Sequence, residues 1–108
     1  MAIRFIPRRY NRFPSHHPAH YMTSDLLGSG MVLDVSLRGC RLLGDCQLMP
    51  GSILTLRVTL PNQSEALVID TARVRWVHER AAGLEFPRMP PAQMRQLRKV
   101  IAGFVCHE

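Results

Sequence analysis

The sequence predicts a mainly β domain: a six-stranded antiparallel β-barrel, followed by one C-terminal α-helix and preceded by a flexible basic arm. Three observations point there. Between residues 20 and 88, short runs of alternating apolar and polar residues recur, separated by turn residues. After Pro90-Pro91 the apolar spacing changes from two to three and four, which is a helical period. Residues 1–19 carry clustered arginine and proline and neither pattern. Short antiparallel strands at this spacing lose their exposed edges by closing into a barrel.

In the arm, Pro7, Pro14 and Pro18 break any helix. Arg4, Arg8, Arg9 and Arg12 concentrate positive charge, and no acidic residue precedes Asp25. An extended, mobile segment is expected. The first strand is expected to start within His20–Thr23. Gly28-Ser29-Gly30 then reads as a turn into a strand over Met31–Val35, with Met31, Leu33 and Val35 on one face. Ser36–Gly39 reads as a tight turn, and Cys40–Leu43 as a strand ended by Gly44-Asp45.

Pro50-Gly51 is a turn signal. Leu54, Leu56, Val58 and Leu60 alternate with Thr55, Arg57 and Thr59, and Pro61-Asn62 closes that strand. Leu67–Val77 is a long strand with Val68, Ala72, Val74 and Trp76 on one face and Arg73 and Arg75 on the other. Asp70 falls in the apolar series, so a bulge is expected there. Gly83–Phe86 is the last strand. The helix spans 91–106, about four turns, with Met94, Leu97, Ile101 and Phe104 as its apolar stripe. Gln93, Arg95, Gln96, Arg98 and Lys99 fill its polar side.

At 108 residues, 46% hydrophobic and 20% charged, the chain suits a single domain over 1–108 with one ordinary core. No apolar run reaches membrane-spanning length, and the basic N-terminus lacks the apolar stretch and cleavage site of a secretory signal. A cytoplasmic location is the resulting expectation. Cys40, Cys46 and Cys106 are odd in number and irregularly spaced, which argues for reduced thiols. His16, His17 and His20 sit on a proline-broken segment with no carboxylate nearby, so no metal is expected. The net charge of +6 implies an anionic partner: nucleic acid, a membrane face, an acidic protein or a nucleotide.

Two segments carry chemistry. Arg8-Arg9-Tyr10-Asn11-Arg12 offers guanidinium forks that hold phosphate oxygens bidentately, stack on purines, or donate to the O6 and N7 edge of guanine. Asp34-Val35-Ser36-Leu37-Arg38-Gly39 offers a carboxylate at a strand end, a hydroxyl and a glycine turn. A carboxylate matches the N1 and N2 donors of guanine, and a hydroxyl can donate to a phosphate. Gly39 would let backbone approach a ligand and permit positive φ. Asp34 and Ser36 could instead merely cap a turn, and a tryptophan in such a strand is more often core packing than a ligand platform. No nucleophile–base pair or Walker-type loop appears, so no enzyme activity is expected.

In these residues the chain resembles the PilZ domain family of bacteria. That family pairs an RxxxR segment with a later (D/N)xSxxG segment; Arg8–Arg12 and Asp34–Gly39 match both. Ala72–Val77 with Gly83–Phe86 resembles the family's last two strands, and the C-terminal helix also fits. The resemblance implies a six-stranded barrel whose ligand is the second messenger cyclic di-GMP, with no other cofactor. It implies that Arg8 and Arg12 grip phosphates and guanine edges, joined by Arg9. Asp34 and Ser36 read a guanine, Gly39 lines the turn, and Trp76 offers a stacking surface. It implies a signalling switch in which the arm orders over the barrel and alters the surface shown to a protein partner. A barrel binding single-stranded nucleic acid is the alternative. The charge allows it, but aromatics make up only 6% of the chain, few for base stacking.

Overall fold

The computed structural model describes residues 13–45, 47–60 and 66–106. The strands are β1 (Phe13–Met22), β2 (Leu27–Val35), β3 (Gly39–Gly44), β4 (Ile53–Val58), β5 (Leu67–His78) and β6 (Ala81–Glu85). One helix, α1 (Pro91–Cys106), follows. Every neighbouring pair is antiparallel, in the order β1-β2-β3-β6-β5-β4, and β4 returns to β1 to close the barrel. The expected fold class is therefore the observed one. Arg8, Arg9 and Arg12, with the rest of the arm before Phe13, lie outside the described residues.

Inward positions of all the strands fill the barrel. Tyr21, Leu42, Leu54, Leu56 and Ile69 are among its most buried side chains. Helix α1 packs against β1 and β5, with Leu97 and Val100 buried and Met94 and Ile101 partly so. The side chain of Phe104 lies outside what is described. Gln93 ties the helix to β5: its Oε1 accepts from the Asp70 N–H at 3.2 Å and its Nε2 donates to Asp70 Oδ2 at 2.6 Å. No helix among the described residues is long and apolar enough to cross a membrane.

Asp70 does mark a bulge. Leu54 pairs with Ala72 but Leu56 pairs with Ile69, so β5 carries an extra residue at Asp70–Thr71. The inward face switches there from Leu67 and Ile69 to Ala72 and Val74, which displaces Val68 from its expected place. Gln93 satisfies the N–H that the bulge takes out of the ladder.

Other local expectations fail for similar reasons. The first strand starts at Phe13, not near His20. Pro18 is tolerated because its carbonyl, and so its missing N–H, points to the β4 side, where strand pairing begins only at Ala19. Gly28, Ser29 and Gly30 belong to β2. A side chain at Gly28 or Gly44 would meet the Tyr21 ring, whose hydroxyl donates to Asp45 Oδ1 at 3.2 Å. On β2 a register shift between Val32 and Asp34 puts Val32 and Val35 inward and leaves Met31 exposed. On β5 a second shift, between Val74 and Trp76, turns Trp76 out of the core face.

Strand β1 has its own bulge between Pro14 and His17, where His16 sits at φ 58°. Histidine is among the few residues enriched in that region. His17 follows it and lines the barrel interior beside Val32, Val35, Leu56, Phe86 and Val100. Burial among these groups, and secondarily repulsion from His16, lowers its pKa below the ordinary 6.5. The unfolded chain therefore takes up this proton first. The stability His17 contributes is complete above pH 6.5 and is lost as pH falls through the folded value. Thermal melts should show a falling Tm from neutral to mildly acidic pH, and His17→Gln should flatten that slope.

Candidate functional site

The β2–β3 turn is built on Ser36. Its N–H donates to the Gly39 carbonyl at 2.8 Å, and its Oγ donates to the same carbonyl at 3.2 Å. The Arg38 N–H in turn donates to Ser36 Oγ at 3.2 Å. Ser36 is buried, so its hydroxyl closes the two-residue loop Leu37–Arg38. The Phe86 N–H donates to the Arg38 carbonyl at 2.8 Å and ties the turn to the end of β6.

Gly39 answers to a different constraint from the one its place in a turn suggests. Among the described glycines only Gly51 has positive φ. A Cβ at Gly39 would run into the Leu84 carbonyl oxygen and lie 3.4 Å from the Glu85 Cα. Glycine is needed for the close approach of β3 to β6.

Asp34 is buried, and its carboxylate is held by β3. The Arg41 N–H donates to Oδ1 at 3.2 Å and Arg41 Nε donates to Oδ2 at 2.6 Å. This is a charge-assisted, two-point grip that fixes the carboxylate. Asp34 does not line the surface groove beside it.

That groove, about 250 Å³, is lined by Ser36, Arg38 and Gly39 on one side and Arg75, Trp76, Gly83, Leu84 and Glu85 on the other. Arg75 pairs with Glu85 at 3.1 Å across its rim. Both groups are exposed enough that this pair contributes at most about 1 kcal/mol. Trp76 is 43% exposed, and its indole lies over Gly83.

The chain enters the barrel at this same end. Phe13 pairs with Val35, the residue just before Ser36. The segment that carries Arg8, Arg9 and Arg12 is therefore attached at the Asp34–Gly39 corner. Ser36, Gly39 and Trp76 come together in the groove, and Asp34 stands aside with Arg41. Sequence reasoning missed Arg38, Arg41 and Gly83. Arg38 occupies a variable position of its motif, and nothing local in the sequence sets Arg41 or Gly83 apart from other strand residues. Among the described residues no three His, Cys, Asp or Glu side chains stand together to hold a metal ion.

Fold and groove together define a small closed-barrel domain with a polar surface groove where the chain enters. A profile of the PilZ domain matches residues 6–103. The chain belongs to the PilZ domain family. Among solved structures it is similar to the PilZ domain with c-di-GMP of YcgR from Escherichia coli, at TM-score 0.77 and 19% identity, covering 91% of each chain. It is similar to the PilZ domain of CeSA from a cellulose-synthesizing bacterium at TM-score 0.70 and 16% identity, covering 86% of this chain and 96% of that one. It also matches the Bacillus subtilis inhibitor of motility MotI/DgrA at TM-score 0.71 and 15% identity, covering 98% of this chain and 56% of that one. No curated protein sequence matches the chain.

The role of Gly39 gives a stability prediction. Gly39→Ala forces its Cβ against backbone that cannot swing aside, and overpacking of this kind costs about 1–3 kcal/mol. Urea denaturation should show the midpoint falling accordingly. An unchanged midpoint would mean that the two strands part freely.

Proposed function

We propose that this domain is a receptor for cyclic di-GMP. The observation that carries the reading is the register of β1 on β2. With Phe13 opposite Val35, the arginine-bearing segment is tethered one residue from the Ser36–Gly39 turn and its groove. The ligand bound in the YcgR PilZ structure supports the same reading.

Arg8 and Arg12, with Arg9 beside them, hold the phosphates and guanine edges of the dianion. Asp34 and Ser36 read a guanine and the adjoining backbone, with Asp34 oriented by Arg41. Gly39 lines the turn. Trp76 offers its exposed indole as a stacking surface. Binding draws residues 8–12 across the barrel end and neutralises clustered arginines, so a protein partner meets a different surface. No bond is made or broken, and the domain acts as a binding module. The alternative of single-stranded nucleic acid gains nothing from the groove. Trp76 is the only exposed aromatic among the described side chains, and strand binders use several.

Hydrogen bonds to charged groups contribute about 1.5–3 kcal/mol each. Arg8→Ala or Arg12→Ala should therefore weaken cyclic di-GMP binding by roughly tenfold to a hundredfold, with the melting temperature unchanged. Isothermal titration is the measurement. Wild-type affinity in both variants would remove the arginines from the site.

A further inference from the structure

Gly83 lies in β6, and its backbone is not in the left-handed region, so φ does not demand glycine there. The demand comes from Trp76. A Cβ on Gly83 would run into the indole Nε1 and Cε2 and stand 2.8 Å from Cδ1. The five-membered ring of the indole thus occupies the space a side chain would take.

Trp76 has no place in the core. The register shift between Val74 and Trp76 turns it outward, and it stays 43% exposed. It borders the groove opposite Ser36, Arg38 and Gly39. An exposed indole on a strand surface has several rotamers open to it. One resting on bare backbone has fewer, because its ring packs against the strand instead of standing in solvent.

We propose that Gly83 is a positioning residue: it seats the Trp76 indole so that the ring forms a fixed wall of the groove, ready to stack on one guanine of the ligand. This rests on the cyclic di-GMP reading above. A purine stacks on any indole it can reach, but a seated ring needs no ordering when the base arrives. Arg38, which lines the opposite side, carries positive charge at the same groove, which suits the phosphate next to a stacked base.

Trp76 is the only tryptophan in the chain, so intrinsic fluorescence reports this one position. Cyclic di-GMP is titrated into the wild type, Gly83→Ala, Trp76→Ala and the double variant, and each is melted without ligand. Ligand should change the emission of the wild type. Gly83→Ala should alter the unliganded emission and weaken binding roughly tenfold, the scale of one base–aromatic stack. In the Trp76→Ala background the same change should cost no further affinity, read by calorimetry, because nothing occupies the seat. That comparison holds even if Gly83→Ala alone melts early, since both variants lacking the indole have room for the methyl group. Wild-type affinity in Gly83→Ala would overturn the proposal and leave the ligand reading intact. So would a further loss in the double variant. No cyclic di-GMP binding by the wild type would overturn the ligand reading and the stacking role with it.

Discussion

Closing a six-stranded sheet bends every strand, and the bending is concentrated in bulges. Register shifts fall between Pro14 and His17, Val32 and Asp34, Leu54 and Leu56, and Val74 and Trp76. The candidate site depends on three of them. The first shapes the strand by which the arginine segment joins the barrel. The second accompanies the turn of Asp34 toward Arg41. The fourth takes Trp76 off the core face and puts it over the groove. The third, at Asp70, is covered instead by Gln93 of the helix. Groove and barrel closure are therefore one constraint, since a flat sheet of the same residues would leave Asp34 unheld and Trp76 in register with Val74.

The polar groups at this end are already engaged before a ligand arrives. Ser36 closes its own turn, Asp34 is gripped by Arg41, and Arg75 pairs with Glu85. No buried side-chain nitrogen or oxygen among the described residues lacks a partner. Breaking the contacts of Ser36 or Asp34 would leave a buried group unsatisfied, whereas the exposed Arg75–Glu85 pair can open at little cost. This engagement also limits how Asp34 can act. The orientation of its carboxylate belongs to Arg41, so in the proposed complex reading a base and holding β2 against β3 would draw on the same group.

Much of the fold was legible in the sequence because the strands alternate cleanly where they are regular. Leu54, Leu56 and Val58 point inward as their spacing predicts, and the stripe containing Leu97 packs on the barrel. Alternation could not reveal where parity changes. Period-two alternation puts Met31 on the face of Val35 and Trp76 on that of Val74, because a bulge adds one residue and leaves no mark in composition. Only at Asp70 did a charged residue in an apolar series expose the shift. The start of β1 was hidden by Pro14 and Pro18, which exclude helix; at Pro18 the β4 side calls only on the carbonyl, which accepts from the Thr59 N–H. Within the candidate site, Asp34, Ser36 and Gly39 were legible as a motif. Arg41 and Gly83 were not, because their partners lie on other strands or beyond a bulge, and pairing across strands is not written locally.

In the proposed complex the arginine segment and the Asp34–Gly39 corner meet on one cyclic dinucleotide. Nuclear magnetic resonance on uniformly ¹⁵N-labelled protein tests this most directly, by following arginine Nε–H and backbone N–H signals through a cyclic di-GMP titration. If the two segments share the ligand, the side chains of Arg8 and Arg12 and the amides of Ser36–Gly39 shift together, with one midpoint. Shifts confined to one of the two segments, or centred on Arg95, Arg98 and Lys99 of the helix, would contradict it.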